Sequence, residues 1–167
     1  MFNDSLSAGN NKLFNVLKAY ANYDAEIGYI QGMNYIAALM LYYIDDEETV
    51  FWCLYQLMVK NNWRETFING LPKLFEMCNL LEDRLSQEFP ELFEYLDSHC
   101  IGKGTFTGLF VSFGLDHCPL EISTRLFEVF LLDGEDVLVR VYMKMIELKQ
   151  EEIFKIHDGV ELQRYIR

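Results

Sequence analysis

An all-α fold of about eight or nine helices is what this sequence predicts, on three observations. Apolar residues recur at helical spacing (i, i+3, i+4, i+7) along the whole chain. No period-2 alternation of useful length occurs. Prolines and glycines fall where helices begin and end. The 167 residues suit one domain, and a chain that is 51% hydrophobic and 15% aromatic is not a disordered one.

The elements follow in order. Leu13, Val16, Leu17 and Tyr20 form the first stripe, with Asn10 or Asn11 placed to cap it. Met33, Ile36, Ala37, Met40, Leu41 and Ile44 form the second. There the intervening Tyr35, Ala38, Leu39, Tyr42 and Tyr43 are apolar too, which predicts a helix in the middle of the domain. Asp45, with Glu48 three residues on, resembles a capping box opening a helix that carries Val50, Phe51, Leu54, Leu57 and Met58. Pro72 and Pro90 suit first helical positions and predict helices over 72–88 and 90–98. Pro119 predicts another through about Leu132, with Gly134 at its left-handed C′ position. Val137, Leu138, Val141, Tyr142, Met145 and Ile146 make a further stripe, followed by short segments to Arg167. Connections are short and there is no repeat, low-complexity tract or linker.

Charge narrows the function classes. Fourteen Lys and Arg against 26 Asp and Glu give −12, with no basic run to neutralise phosphates. That argues against nucleic acid and against docking on an anionic membrane surface. The most apolar stretch, Met33–Ile44, is far short of the roughly twenty residues that span a bilayer, so no direct membrane insertion is expected. Met1-Phe-Asn-Asp-Ser lacks the basic and apolar regions of a secretion signal. Cys53, Cys78, Cys100 and Cys118 lie apart, mostly in apolar segments, and read as reduced core residues in a cytoplasmic protein.

Most candidate sites fail on spacing. Ile101-Gly102-Lys103-Gly104-Thr105 lacks the GxxxxGK[ST] pattern and reads as a flexible interhelical turn. His99-Cys100 and His117-Cys118 lack the spacing of a closed zinc site, so no metal is expected. No GxSxG elbow or Ser/His/Asp set occurs. The acidic clusters Asp45–Glu48 and Glu151-Glu152 read as solvated helix starts, and Trp52 and Trp63 as packing residues.

Gly28-Tyr29-Ile30-Gln31-Gly32-Met33-Asn34 stands apart. Gly28 could simply end the first helix, and Gly32 could ease packing at the start of the second. Alternatively, the glycines let backbone approach a ligand. The uncharged carboxamide of Gln31, both donor and acceptor, could then orient a water and contact a phosphoryl oxygen. In GTP hydrolysis a glutamine has that water-orienting role.

This segment resembles the YxQGM motif of the TBC domain, the Rab GTPase-activating fold. Leu13 to Asp24 leading into Gly28–Met33 is similar to the family's second signature block. Glu47–Trp52 resembles the helix that follows, and Arg125–Gly134 the third block, RxWDxFxxxG; together they reach from about 13 to about 155. In that third block Phe127 and Glu128 replace Trp and Asp; Phe127 is read as packing, and Arg125 and Glu128 as a local i, i+3 pair.

The resemblance implies a dual-finger mechanism, in which an arginine and a glutamine enter the active site of a Rab-type small GTPase. The partner carries the GTP and Mg²⁺, and the chain has no metal or cofactor of its own. Carried over, the glutamine finger is Gln31. Tyr29 shapes the loop, and Gly28 and Gly32 permit its approach. The family's arginine lies in an IxxDxxRT block upstream of the first matched helix. Only Met1–Asn11 precede that helix here, without an arginine, and Arg64, Arg84, Arg125, Arg140, Arg164 and Arg167 lie in other blocks. Residues 1–167 are therefore expected to be most of one TBC domain, truncated before the arginine block and ending early. Weak activity follows from that. The alternative is a non-catalytic Rab-binding or scaffold module. Either role implies work in vesicle trafficking, with peripheral recruitment to organelle membranes through the Rab.

Overall fold

The computed structural model describes residues 2–115 and 118–166, with side chains from Gly9 onward. Among the described residues there are nine α-helices and no strand. The chain forms two compact units, Met1–Pro72 and Lys73–Arg167.

In the first unit, α1 (Phe2–Tyr23) contacts α2 (Met33–Tyr43) and α3 (Glu47–Tyr55). Val16 and Tyr20 are the buried face of α1. The helix starts at Phe2, not at a cap on Asn10 or Asn11. Inside a helix an Asn or Gly weakens by only about 1 kcal/mol or less, and none of these residues breaks the ladder as proline would. In α2, Met33, Ile36, Ala37, Leu39 and Met40 are buried. Tyr42 and Tyr43 are exposed, so the centrally placed part of α2 is its first two turns.

The cap of α3 is Asp46, one residue later than expected. Its Oδ2 accepts from the Thr49 N–H at 2.8 Å and from the Thr49 hydroxyl at 2.6 Å. Asp45 instead pairs with the Lys12 ammonium. Val50 and Leu54 bury the inner face of α3, which runs on through a wide π turn (Gln56–Lys60) and a 3₁₀ turn (Trp63–Thr66). Trp63 is in the core as expected, but Trp52 is 52% exposed. Two residues beyond Val50 is about 200° around the helix, which turns Trp52 away from the core. There it meets Phe51 and Tyr55 edge to face.

The second unit runs α4 (Pro72–Glu88, whose first residue belongs to the first unit), α5 (Pro90–Ser98), α6 (Lys103–Ser112), α7 (Leu120–Asp133), α8 (Asp136–Ile153) and α9 (Gly159–Ile166). Both proline-led helices begin as expected. The segment read as a flexible turn is in fact the start of α6, which buries Thr105, Phe106, Leu109 and Phe110. The Tyr142 hydroxyl of α8 donates to the Leu109 carbonyl. Pro119 precedes α7 as its cap residue, and Gly134 ends that helix at φ +81°. Phe127 packs in the core against Phe113 and Phe130. Arg125 and Glu128 form an exposed pair at 2.8 Å. Of the four cysteines only Cys78 is buried. Cys53 and Cys118 are half-buried and Cys100 is exposed at a chain reversal with φ +58°.

Candidate functional site: the Gln31 loop

The site grows out of the end of α1. After Tyr23 the Asp24 carbonyl accepts from the N–H groups of Ile27 (3.2 Å) and Gly28 (2.8 Å), closing a turn. Gly28 lies at φ +66°, with open space where a side chain would stand, so its role is conformational. It does not end α1, which stops five residues earlier. The Ile30 carbonyl accepts from Met33, and Gly32, at φ +113°, is the cap residue of α2.

One side chain ties this exit together. The Asn34 Oδ1 accepts from the Gly32 N–H (3.1 Å) and from the Tyr29 hydroxyl (3.4 Å). Gln31 sits between the two positive-φ glycines. It is exposed, and its carboxamide makes no hydrogen bond to another described residue. Tyr29 is 53% exposed. Together with Asn34 it borders a groove of about 620 Å³ whose other walls are α1 residues, among them Leu13, Phe14 and Leu17. Gly28, Tyr29, Gln31 and Gly32 thus share one loop, in which Tyr29 and Gln31 are exposed, Gly28 is half-buried and Gly32 is buried at the start of α2.

The stem of the loop is held by a residue that sequence reasoning missed. Arg64, in the 3₁₀ turn after α3, donates from Nε to Asp24 Oδ2 (2.7 Å). Its Nη2 donates to Asp24 Oδ1 (3.0 Å) and to Glu26 Oε2 (2.6 Å). The Asp24 side chain is only 10% exposed and that of Arg64 27%. Arg64's hydrogen bond holds the Asp24 carboxyl below the usual carboxylate range, and both carboxylates hold the Arg64 guanidinium above its ordinary value. The Tyr20 hydroxyl also donates to Asp24 (3.3 Å), and burial, followed by that carboxylate, pushes its pKa up. Forty residues separate Asp24 from Arg64, and no local pattern signals the pairing.

The other candidates have structural employment. Lys103 lies 3.6 Å from Glu82, and His99 Nδ1 is 2.8 Å from the Tyr95 carbonyl of its own helical turn. His117 lies outside the described residues. Among the described residues no group of three or more His, Cys, Asp or Glu could hold a metal ion. Nor is any described helix long and apolar enough to cross a membrane.

The all-helical architecture is that of a Rab-GTPase-TBC domain. The model of that family matches residues 1–154, and the chain belongs to it. It is similar to the human ecotropic viral integration site 5 protein homolog, at 30% identity over 98% of this chain and 20% of the relative. The human TBC1 domain family member 2A is 30% identical over 93% of this chain and 17% of the relative. The GTPase-activating protein GYP5 of Saccharomyces cerevisiae is 31% identical over 86% of this chain and 16% of the relative. The chain therefore spans about a fifth or less of the length of these curated relatives. The crystal structure of the Chlamydomonas flagellar RabGAP TBC domain shares the fold. Its TM-score is 0.80 over 93% of this chain and 52% of that one, at 22% identity.

Proposed function

We propose that this chain is a GTPase-activating domain for a Rab-type small GTPase, and that Gln31 orients the water attacking the γ-phosphate of the partner's GTP. The observation that carries this reading is the exposed, uncommitted carboxamide of Gln31 between two glycines at φ +66° and +113°. A primary amide donates and accepts at once, so it can hold a water by its carbonyl and a phosphoryl oxygen by its N–H₂ without changing charge. In phosphoryl transfer the protein contributes mainly positioning and electrostatics, which suits a neutral group on a restrained loop. Tyr29 and the groove beside it supply an apolar surface for the partner. Gly28, with open space where a side chain would stand, allows close approach, and the buried Gly32 sets the backbone turn after Gln31. GTP and Mg²⁺ come with the partner, and the Rab would bring the chain to organelle membranes in vesicle trafficking.

A second reading is favoured by the arginines. Arg64, Arg84, Arg125 and Arg140 are each ion-paired within the chain, and the remaining arginine among the described residues is Arg164, exposed in the last turn of α9. If none of these arginines reaches the nucleotide, the chain binds a GTP-loaded Rab without accelerating it.

Single-turnover hydrolysis over a panel of GTP-loaded Rab proteins tests both. With a cognate Rab the chain should raise the rate above the intrinsic one, and Gln31→Ala should lower the gain about a hundredfold or to the intrinsic rate. Acceleration equal in wild type and Gln31→Ala removes Gln31 from the mechanism. Binding with no acceleration selects the second reading.

A further inference from the structure

A glutamine that works by positioning must itself be positioned, and the loop carrying it is poorly equipped to do so alone. From Asp24 to Gly32 the backbone makes few hydrogen bonds, and two of its residues are left-handed glycines. Glycine has the largest conformational freedom of any residue, so an unrestrained segment of this kind would spread Gln31 over many positions.

We propose that Arg64 is a positioning residue for Gln31, its guanidinium forked across Asp24 and Glu26 so that the stem of the loop keeps one geometry. This rests on the reading of Gln31 given above. Three features support it. First, Arg64 grips both ends of the short Asp24–Glu26 stretch, while the Asp24 carbonyl receives Ile27 and Gly28. Fixing Asp24 therefore fixes the turn that launches Tyr29-Ile30-Gln31. Second, Arg64 is itself rigidly seated. Its neighbours Trp63, Thr66 and Phe67 are almost wholly buried, and its carbonyl accepts from the N–H groups of Phe67 and Ile68. Third, the pairing is charge-assisted, two-pronged on Asp24 and little exposed, the arrangement in which arginine fixes direction as well as distance. At the other end of the loop the Asn34 side chain holds Tyr29 and Gly32. Gln31 is left as the free residue of a segment pinned on both sides.

This placement separates Arg64 from an arginine finger. A finger must reach a phosphoryl group on another molecule, whereas Nε and Nη2 of Arg64 are directed at carboxylates of its own chain. A lysine could supply the charge but not the fork, because one ammonium cannot address both Asp24 oxygens and Glu26 in a fixed plane.

The test compares Arg64→Lys, Glu26→Gln and Gln31→Ala with wild type, first as free chains. In NMR-detected hydrogen exchange, Arg64→Lys should speed the Gly28 and Gly32 amides about tenfold or more, with α2 and α3 amides changed less than about twofold. Glu26→Gln, at an exposed residue whose loss cannot unfold the chain, should give a smaller rise at the same two amides. Unchanged loop exchange in both variants overturns the proposal. A uniform rise through α2 and α3 also overturns it, because the pair would then be only a structural brace. In single-turnover hydrolysis with the Rab panel, Arg64→Lys should lower the saturating rate about tenfold at a half-saturating concentration unchanged within about twofold. A rise in half-saturation with an unchanged saturating rate would overturn it. If Gln31→Ala leaves hydrolysis untouched while Arg64→Lys loosens the loop, the catalytic reading of Gln31 falls and the restraint of the loop by Arg64 stands.

Discussion

Two segments of this molecule look alike in sequence and behave oppositely. Gly28–Met33 and Ile101–Thr105 each place two glycines around polar residues ahead of an apolar helix. In the first, both glycines have positive φ and Gln31 projects from the chain uncommitted. In the second, Gly102 is extended at φ −133°, Gly104 already lies inside α6, and Lys103 is its first residue, beside Glu82. Glycine count is the same in both. What separates them is the sign of φ and whether the polar side chain between the glycines already has a partner within its own unit.

The comparison breaks most directly at the glycines. Gly32→Ala forces a side chain into φ +113° and should destabilise the chain by about 1–3 kcal/mol in urea unfolding, with loss of any acceleration of a Rab. Gly104→Ala should act in the opposite direction. It sits in a helix with open space around its missing Cβ, and alanine there should stabilise by about 0.5–1 kcal/mol. Equal effects of one sign at both sites would mean that the two turns are not distinct in the way the backbone indicates.

Acid sharpens it next. Arg64 holds the Asp24 carboxyl below its ordinary value, and the groups facing Asp24 are Arg64, Tyr20 and, through Arg64, Glu26. A carboxylate with a lowered native pKa adds stability that is complete above its unfolded pKa of about 3.9 and is lost as pH falls through the native value. Asp46 is lowered as well, by the Thr49 cap, so whole-chain acid unfolding would mix the two. The local readout is cleaner. Corrected for intrinsic chemistry, exchange at the Gly28 amide should be flat from pH 7 to about pH 4 and rise below it. In Asp24→Asn the pH step should vanish. A step between pH 5 and 7 in wild type would assign the restraint to some other group.

How much of this was legible beforehand follows from the range of each interaction. Pro72 and Pro90 announce α4 and α5 because proline's effect is confined to its own turn. The Gln31 loop is legible for the same reason, since its glycines and its glutamine are sequence neighbours. The cap of α3 slipped by one because Asp45 and Asp46 are chemically identical, and only the contact of Asp45 with Lys12, thirty-three residues away, decides between them. α6 was hidden by its Gly-Lys-Gly opening, since two glycines outweigh an apolar face until that face has something to cover it. Arg64 lies outside every block that the family resemblance matches. Its function depends on a partner forty residues earlier, and a sequence read in windows holds no trace of such a pair.

The smallest effect falls on the look-alike turn, and it is the one that most sharply separates a site from a helix start. Lys103 and Glu82 approach to 3.6 Å with side chains 46% and 20% exposed. An ion pair this open, weakened by solvent and by the entropy of two long side chains, is worth about 0–1 kcal/mol. Lys103→Met should therefore shift the urea midpoint barely at all, and wild type and variant should converge as salt rises from 0.05 to about 1 M. Hydrolysis by a responsive Rab should be untouched. A large loss of activity in Lys103→Met would show that the lysine had been serving phosphate after all, and the contrast between the two glycine pairs would have to be redrawn around it.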